Sequence, residues 1–159
     1  MNSLVIYGSR YGNTRKVAEA IAAELGKHGE VQMVTAEEAS TTLAEQTDLV
    51  VVGGPTEAHR MTEPIAQLFD RIGEGWLAGK AAAAFDTRVR WPLLLSGSAA
   101  AGIVRKLERA GAEVVAPAAS FFVGGKPTLL EPGELEQAMA WAAALASKVE
   151  SKKPVLTAR

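Results

Sequence analysis

The stretch that most constrains the fold lies near the start of the chain. There Leu4-Val5-Ile6-Tyr7 leads through Gly8-Ser9-Arg10-Tyr11-Gly12-Asn13-Thr14 into Arg15-Lys16-Val17. The apolar run reads as a short buried strand, and Val17, Ala18, Ile21, Ala22 and Leu25 then recur at helical spacing. A strand, a tight polar loop and a helix N-terminus form an anion site. The loop amides and the first helical N–H groups have no acceptors inside the helix, and the helix dipole adds positive charge there. Ser9, Asn13 and Thr14 add short polar side chains, and Arg10, Arg15 and Lys16 add cations. A phosphate monoester is the expected guest. The spacing is neither that of a Walker A loop, because no Gly-Lys-Ser/Thr follows Gly8, nor that of the dinucleotide fingerprint. The alternative is an ordinary strand-to-helix turn capped by Asn13 or Thr14.

The rest of the chain alternates in the same way. Helix one should stop at Gly29. Glu30 to Thr35 alternates apolar and polar, as an edge strand does, and Ala36 to Thr47 has room for a short helix. Asp48-Leu49-Val50-Val51-Val52 is a second continuous apolar run, of the kind buried on both faces of a parallel sheet. It leads into a second Gly-rich loop, Gly53 to Arg60. A helix follows, with Pro64 in its first turn and Ile65, Leu68, Phe69 and Ile72 on one face. Lys80 to Phe85 is alanine-rich, which locally favours helix. Its shortness, its glycine boundary and its place in the alternation predict a strand, followed by a loop over Asp86–Gly97. Ser98 is expected to cap a helix stopped by Gly111. Glu113 to Val123, broken by Pro117, reads as a last edge strand. The closing helix, from about Pro132 to Glu150, is expected to bury Leu135, Met139, Ala142, Leu145 and Val149. Residues 1–150 thus form one domain, and residues 151–159 a basic tail.

Five strands alternating with about five helices predict a doubly wound α/β parallel sheet. With edges at the second and fifth strands, its order is 2-1-3-4-5. Ligands in such sheets sit beyond the carboxyl ends of strands one and three, where this chain has its two Gly-rich loops. Composition narrows the options further. A net charge of -1 recruits neither nucleic acid nor an anionic membrane. The absence of cysteine excludes disulfides and thiolate chemistry, and two histidines far apart in sequence make no zinc site. No run is long enough to span a bilayer and no signal-peptide pattern opens the chain, so a cytoplasmic location and no membrane partner are expected.

These segments resemble the flavodoxin family. Ser9-Arg10-Tyr11-Gly12-Asn13-Thr14 is similar to its phosphate loop, usually Ser/Thr-x-Thr-Gly-Asn-Thr. Gly53-Gly54-Pro55-Thr56 resembles the start of the loop beside the isoalloxazine ring, and Phe85-Asp86-Thr87 the start of the second ring loop. Gly111 to Val115, Phe121 to Val123 and the Gly-Glu start of the last helix extend the likeness to about Glu150. The resemblance implies FMN as cofactor. Ser9, Arg10, Tyr11, Gly12, Asn13 and Thr14 would lie at the phosphate, and Pro55, Thr56, Glu57, His59, Arg60, Thr87, Arg88 and Trp91 at the ring.

Two departures stand out. Tyr11 replaces a hydroxyl residue, and the second ring loop lacks the family's acidic and aromatic pattern. Glu57, Ala58 and His59 supply no large aromatic, so Trp91 is either the stacking partner or an anchor for its loop. Arg60, always charged, is a better candidate than His59 for favouring reduced flavin, the alternative being a solvated pair. Arg88 and Arg90 face the flavin, an anionic partner or water. Trp76 and Trp141 read as packing residues.

The resemblance implies electron transfer through bound flavin to a redox partner protein, a reductase or an acceptor, by a monomeric carrier. The chain is less acidic than the well-studied carriers. That keeps open an FMN-dependent oxidoreductase acting on a quinone or a porphyrin precursor. A third reading is a domain that has lost FMN. A phosphoacceptor receiver shares the strand order, but it needs acidic residues after the first strand and an aspartate after the third; Gly8-Ser9 and Gly53-Gly54-Pro55 stand there instead.

Overall fold

The parallel ladder begins at the first apolar run. In the computed structural model, which describes residues 1–154, β1 (Ser3–Tyr7) pairs with β2 (Val31–Thr35) on one side and β3 (Leu49–Glu57) on the other. β3 pairs with β5 (Ala81–Val89), which pairs with β7 (Ala119–Gly124), all in parallel. The order β2-β1-β3-β5-β7 is the expected 2-1-3-4-5 arrangement. Three short strands decorate it: β4 (Arg60–Met61) against β3, β6 (Glu113–Val114) against β5, and β8 (Leu129–Leu130) against β7. The last expected strand is therefore split around Pro117 into β6 and β7. The β8 strand covers the outer side of β7, so β7 is not a bare edge.

Alternate residues of each strand face opposite layers. Leu4, Ile6, Val50, Val52, Ala82 and Ala84 pack with α2 (Thr41–Glu45), α3 (Glu63–Ile72) and α5 (Ala99–Arg109). Val5, Val51, Ala83 and Phe85 pack with α1 (Asn13–Leu25) and α6 (Glu134–Lys152). Small alanines in the middle of β5 let helices approach both faces, which outweighs their helical propensity. Phe85, Phe121 and Trp141 meet edge-on with ring centroids about 6 Å apart, so Trp141 is a packing residue. Trp76 packs half-buried against the opposite layer.

Four sequence expectations need correction. The Gly53–Arg60 segment is not a loop: β3 continues to Glu57, turns at Ala58 and His59, and returns as β4. Residues 86–89 extend β5, because the ladder with β3 continues through Gly54↔Asp86 and Pro55↔Thr87. Residues Leu93–Ser96 then form one helical turn, α4. On α6, Ala138, Ala142, Leu145, Ala146 and Val149 face inward, whereas Leu135 and Met139 are exposed. The α6 helix packs along α1, where small residues permit close approach. The helix also runs past the expected boundary at 150, with Lys152 and Lys153 paired to Glu113 and Asp48. Residues 155–159 of the expected tail lie outside the described residues.

Candidate functional site

β1 ends at Tyr7 while β3 runs on, and the Gly8 amide donates to the Gly53 carbonyl at 3.0 Å. The chain then turns through Gly12, whose φ of 85° is left-handed and favours glycine. Ser9 Oγ accepts from the Gly12 amide at 3.1 Å and the Arg15 amide at 3.4 Å, closing the loop on itself. The N-cap residue of α1, Gly12, offers no capping side chain, and the first turn holds no acid. The Asn13 and Thr14 amides have no acceptor within the helix. Their side chains are buried and engaged: Asn13 Nδ2 donates to the Thr128 carbonyl at 3.0 Å, and the Thr14 and Thr87 hydroxyls share a hydrogen bond of 2.8 Å. Arg10, Arg15 and Lys16 surround this end on the solvent side. Arg15 pairs with Glu19 at 3.0 Å, and Arg10 with Glu57 at 3.5 Å while lying over the Tyr11 ring. Tyr11 itself is largely exposed.

Gly53 is required by close packing, and Gly54 is tightly packed. A Cβ on Gly53 would lie 2.2 Å from the Phe85 ring, and one on Gly54 would lie 3.2 Å from Ile65. The hairpin turn beyond them places Ala58 and His59 at φ 45° and 70°, the left-handed geometry of a two-residue hairpin. His59 and Arg60 are exposed on this turn. Gly97 abuts it, since a Cβ there would lie 2.4 Å from the His59 carbonyl oxygen.

Between the ends of β3 and β5 lies a pocket of about 190 Å³. Asn13 and Thr14 line it from the first loop, Thr56 and Glu57 from β3, and Thr87 and Arg88 from β5. Arg10, Tyr11 and Pro55 also reach it. A cleft of about 510 Å³ opens on the other side of the Arg10–Glu57 pair, against Ser9, Gly12, Arg15 and the start of α3. Arg10, Pro55 and Glu57 line both spaces. Of the expected residues, Arg10, Tyr11, Asn13, Thr14, Pro55, Thr56, Glu57, Thr87 and Arg88 line the pocket, and Ser9 and Gly12 line only the adjoining cleft. His59, Arg60 and Trp91 lie outside the pocket lining; Trp91 is 61% exposed at the lip.

Arg88 is mostly buried. Its guanidinium donates to Ser120 Oγ at 2.9 Å, Ser96 Oγ at 3.0 Å and the Trp91 carbonyl at 3.2 Å, which makes it a brace for the segment after β5. Arg90 lies over Phe122 at 4.0 Å and pairs with Glu131 at 2.9 Å; the hydrogen bond to Glu131 raises its pKa.

Sequence reasoning missed Asp86 as a structural anion. Its side chain is 0% exposed. Oδ2 accepts from Ser98 Oγ at 2.7 Å, the Ala100 amide at 3.1 Å and Thr56 Oγ1 at 3.1 Å, while Thr56 Oγ1 accepts from the Ala99 amide. Oδ1 has no hydrogen-bond partner and lies 3.9 Å from Arg88 Nε. The first turn of α5 is therefore filled from within. The available signal was an acid in the last buried positions of a strand with Ser98 following at a helix start. Val89, Ser96, Val123 and Thr128 also line the pocket and had no distinctive sequence signal.

This donor set fits a phosphorylated flavin. Open amides and cations suit a phosphate, the Thr14–Thr87 hydroxyl pair suits a polyol, and the β3 and β5 ends form walls on either side of a ring.

Comparisons with known proteins agree with the architecture. The profile of the family described as flavodoxin domain matches residues 4–88. A flavodoxin of Aquifex aeolicus (strain VF5) is 34% identical over 93 residues, covering 55% of this chain and 50% of that protein, so the match spans about half the relative's length. A flavodoxin from the domain Archaea superposes with a TM-score of 0.77 at 25% identity, over 94% of this chain and 99% of that one. The rubredoxin oxygen:oxidoreductase of Desulfovibrio gigas shares the fold with a TM-score of 0.77 at 18% identity, over 94% of this chain but 36% of that one.

Proposed function

The chain belongs to the flavodoxin family, and from that premise we infer that it binds FMN between the ends of β3 and β5 and passes electrons to a partner protein. The observation that carries this reading is the acid-free first turn of α1, whose Asn13 and Thr14 amides have no acceptor, with Arg10, Arg15 and Lys16 near it in sequence and the pocket beside it. The amides from Arg10 to Thr14, with the Ser9 and Thr14 hydroxyls, hold the phosphate. Asn13, Thr14 and Thr87 orient the polyol. Pro55, Thr56 and Glu57 on one wall and Thr87 and Arg88 on the other exclude water from the inner part of the ring. His59, Arg60 and Trp91 stand at the rim, where Arg60 would bias the potential through its charge. Tyr11 covers the outside of the loop. Bound FMN supplies the electron-transfer chemistry, and the protein sets its potential and access.

The partner is a reductase or an acceptor protein, and the chain acts as a monomer in the cytoplasm. No described helix is long and apolar enough to cross a membrane. A second reading, an FMN-dependent oxidoreductase acting on a quinone or porphyrin-type substrate, draws on the near-neutral charge and on the arginines about the pocket. Turnover of a quinone with NADPH in the absence of any other protein would favour it.

The test of FMN binding is a fluorescence titration with FMN and with riboflavin. The expected result is FMN bound at least about 100-fold more tightly, since a phosphate making several charge-assisted hydrogen bonds is worth ~3 kcal/mol or more. No binding of either flavin at micromolar concentration would refute both redox readings and leave a flavodoxin domain that has lost FMN.

A further inference from the structure

Two spaces flank the β1–α1 loop, and the flavin ring is assigned to the smaller, of about 190 Å³. The larger, a cleft of about 510 Å³, lies against the ends of β1 and β2 and the start of α3. Its size falls within the roughly 300–1,000 Å³ of small-molecule sites. The two spaces share Arg10, Pro55 and Glu57, and the β1–α1 loop forms a wall of both. A phosphate held at that loop can therefore carry a group on either side.

We propose that the cleft seats the adenosine half of a flavin dinucleotide, so that the chain accepts FAD as well as FMN. This rests on the reading that the β1–α1 loop holds the flavin's phosphate. The phosphate of FMN is terminal and puts nothing in the cleft, whereas a dinucleotide continues past it.

The lining supplies what the added half needs. Arg10 and Arg15 both reach the cleft. Their ion pairs, with Glu57 at 3.5 Å and Glu19 at 3.0 Å, are exposed and weak, so both guanidinium groups are available to a second phosphate. Glu37 stands in the turn that follows β2, exposed and lining the cleft. Its carboxylate makes no hydrogen bond or ion pair among the described residues, and a free carboxylate accepts from ribose hydroxyls. Thr62, the N-cap residue of α3, makes no side-chain capping bond, which leaves its hydroxyl for the same ligand. Pro64 beside it offers an apolar surface to a base.

The topology places these groups as dinucleotide-binding sheets do. There the pyrophosphate sits at the start of the helix after the first strand, and an acid roughly 20 residues on bonds the ribose. This chain lacks that fingerprint's glycine spacing. It has the same β1–α1–β2 unit, with β2 parallel beside β1 and Glu37 just past its end.

The experiment is calorimetric titration of the full chain with FMN and with FAD, in the wild type and in Glu37→Ala. The wild type should bind FAD at least as tightly as FMN. Glu37→Ala should lower the ratio of FAD affinity to FMN affinity about tenfold, with FMN affinity and melting temperature unchanged. Because Glu37 is exposed and unpaired among the described residues, the variant is expected to fold. Weaker binding of FAD than of FMN by the wild type would overturn the proposal. An equal ratio in the two proteins would also overturn it, because the adenosine would then lie in solvent. Both results leave FMN binding standing, whereas failure of both flavins to bind would overturn the two together.

Discussion

α1 and α5 both begin at the carboxyl edge of the sheet, about the same pocket, and satisfy their first turns in opposite ways. The α5 turn is saturated from within: Ser98 accepts from the Ala101 amide, Asp86 from the Ala100 amide and Thr56 from the Ala99 amide. The α1 turn has a left-handed glycine at its N-cap and no acid, Ser9 Oγ reaches only the Arg15 amide within it, and the Asn13 and Thr14 amides have no acceptor. A helix N-terminus carries about half a positive charge whatever its sequence. The chain fills one terminus with its own carboxylate and leaves the Asn13 and Thr14 amides of the other without an acceptor, which is where the proposed function places an external anion.

The largest expected effect comes from emptying the filled terminus. Asp86→Ala leaves the Ala100 amide and the Ser98 and Thr56 hydroxyls without their acceptor and Arg88 without its nearby acid. It should cost about 3–5 kcal/mol of stability, as breaking a buried charge network does. Urea unfolding measures this, and a loss below ~1 kcal/mol would remove the basis of the contrast.

The two caps give a smaller, sharper pair. Gly12→Ala forces a Cβ into left-handed backbone at a cost of roughly 1–2 kcal/mol, which Gly12→Asn should largely avoid. Ser98→Ala loses a true cap, at about 1 kcal/mol, which Ser98→Asp should restore. Thermal melts of the four variants check whether one cap works by conformation and the other by hydrogen bonding.

The smallest effect concerns a carboxylate at the other end of the sheet. Burial alone would raise the Asp48 pKa. The Asn2 amide at 2.7 Å, Lys153 at 3.2 Å and the N-terminal charge outweigh it and lower the pKa below its ordinary 3.8. A lowered folded pKa gives stability that is present above the unfolded value and lost as pH falls through the folded one. The wild type should therefore lose more stability than Asp48→Asn on acidification below pH 3.8. The difference should be only about 0.5 kcal/mol, because the pair is partly exposed and screened. Parallel pH titrations of the two melting curves measure it.

Much of the fold was legible because parallel strands write themselves as apolar runs. Leu4–Tyr7, Leu49–Val52 and even Ala81–Phe85 could be placed, and the alternating Glu30–Thr35 marked an edge. The extensions to Glu57 and Val89 were not legible. Their residues are polar because they rise above the helical layers to the pocket, so they carry a loop's composition on a strand's backbone. The inward face of α6 misled for a related reason: close packing on α1 selects Ala138 and Ala146 over the larger Leu135 and Met139. The strand-to-helix turn between β1 and α1 was legible as local spacing. The role of Asp86 depends on Thr56 and on the first turn of α5, partners that no local pattern reveals.

The central claim is that the open terminus of α1 reads the phosphate. Ser9→Asp tests it directly, because aspartate can still cap the Gly12 amide while placing an internal anion at α1 as Asp86 does at α5. The measurement is the affinity ratio of FMN to riboflavin in the wild type and in Ser9→Asp, by fluorescence titration. The account predicts a ratio of about 100 or more in the wild type that falls to near one in the variant, mainly through weaker FMN binding. An unchanged ratio would contradict it and place the phosphate elsewhere.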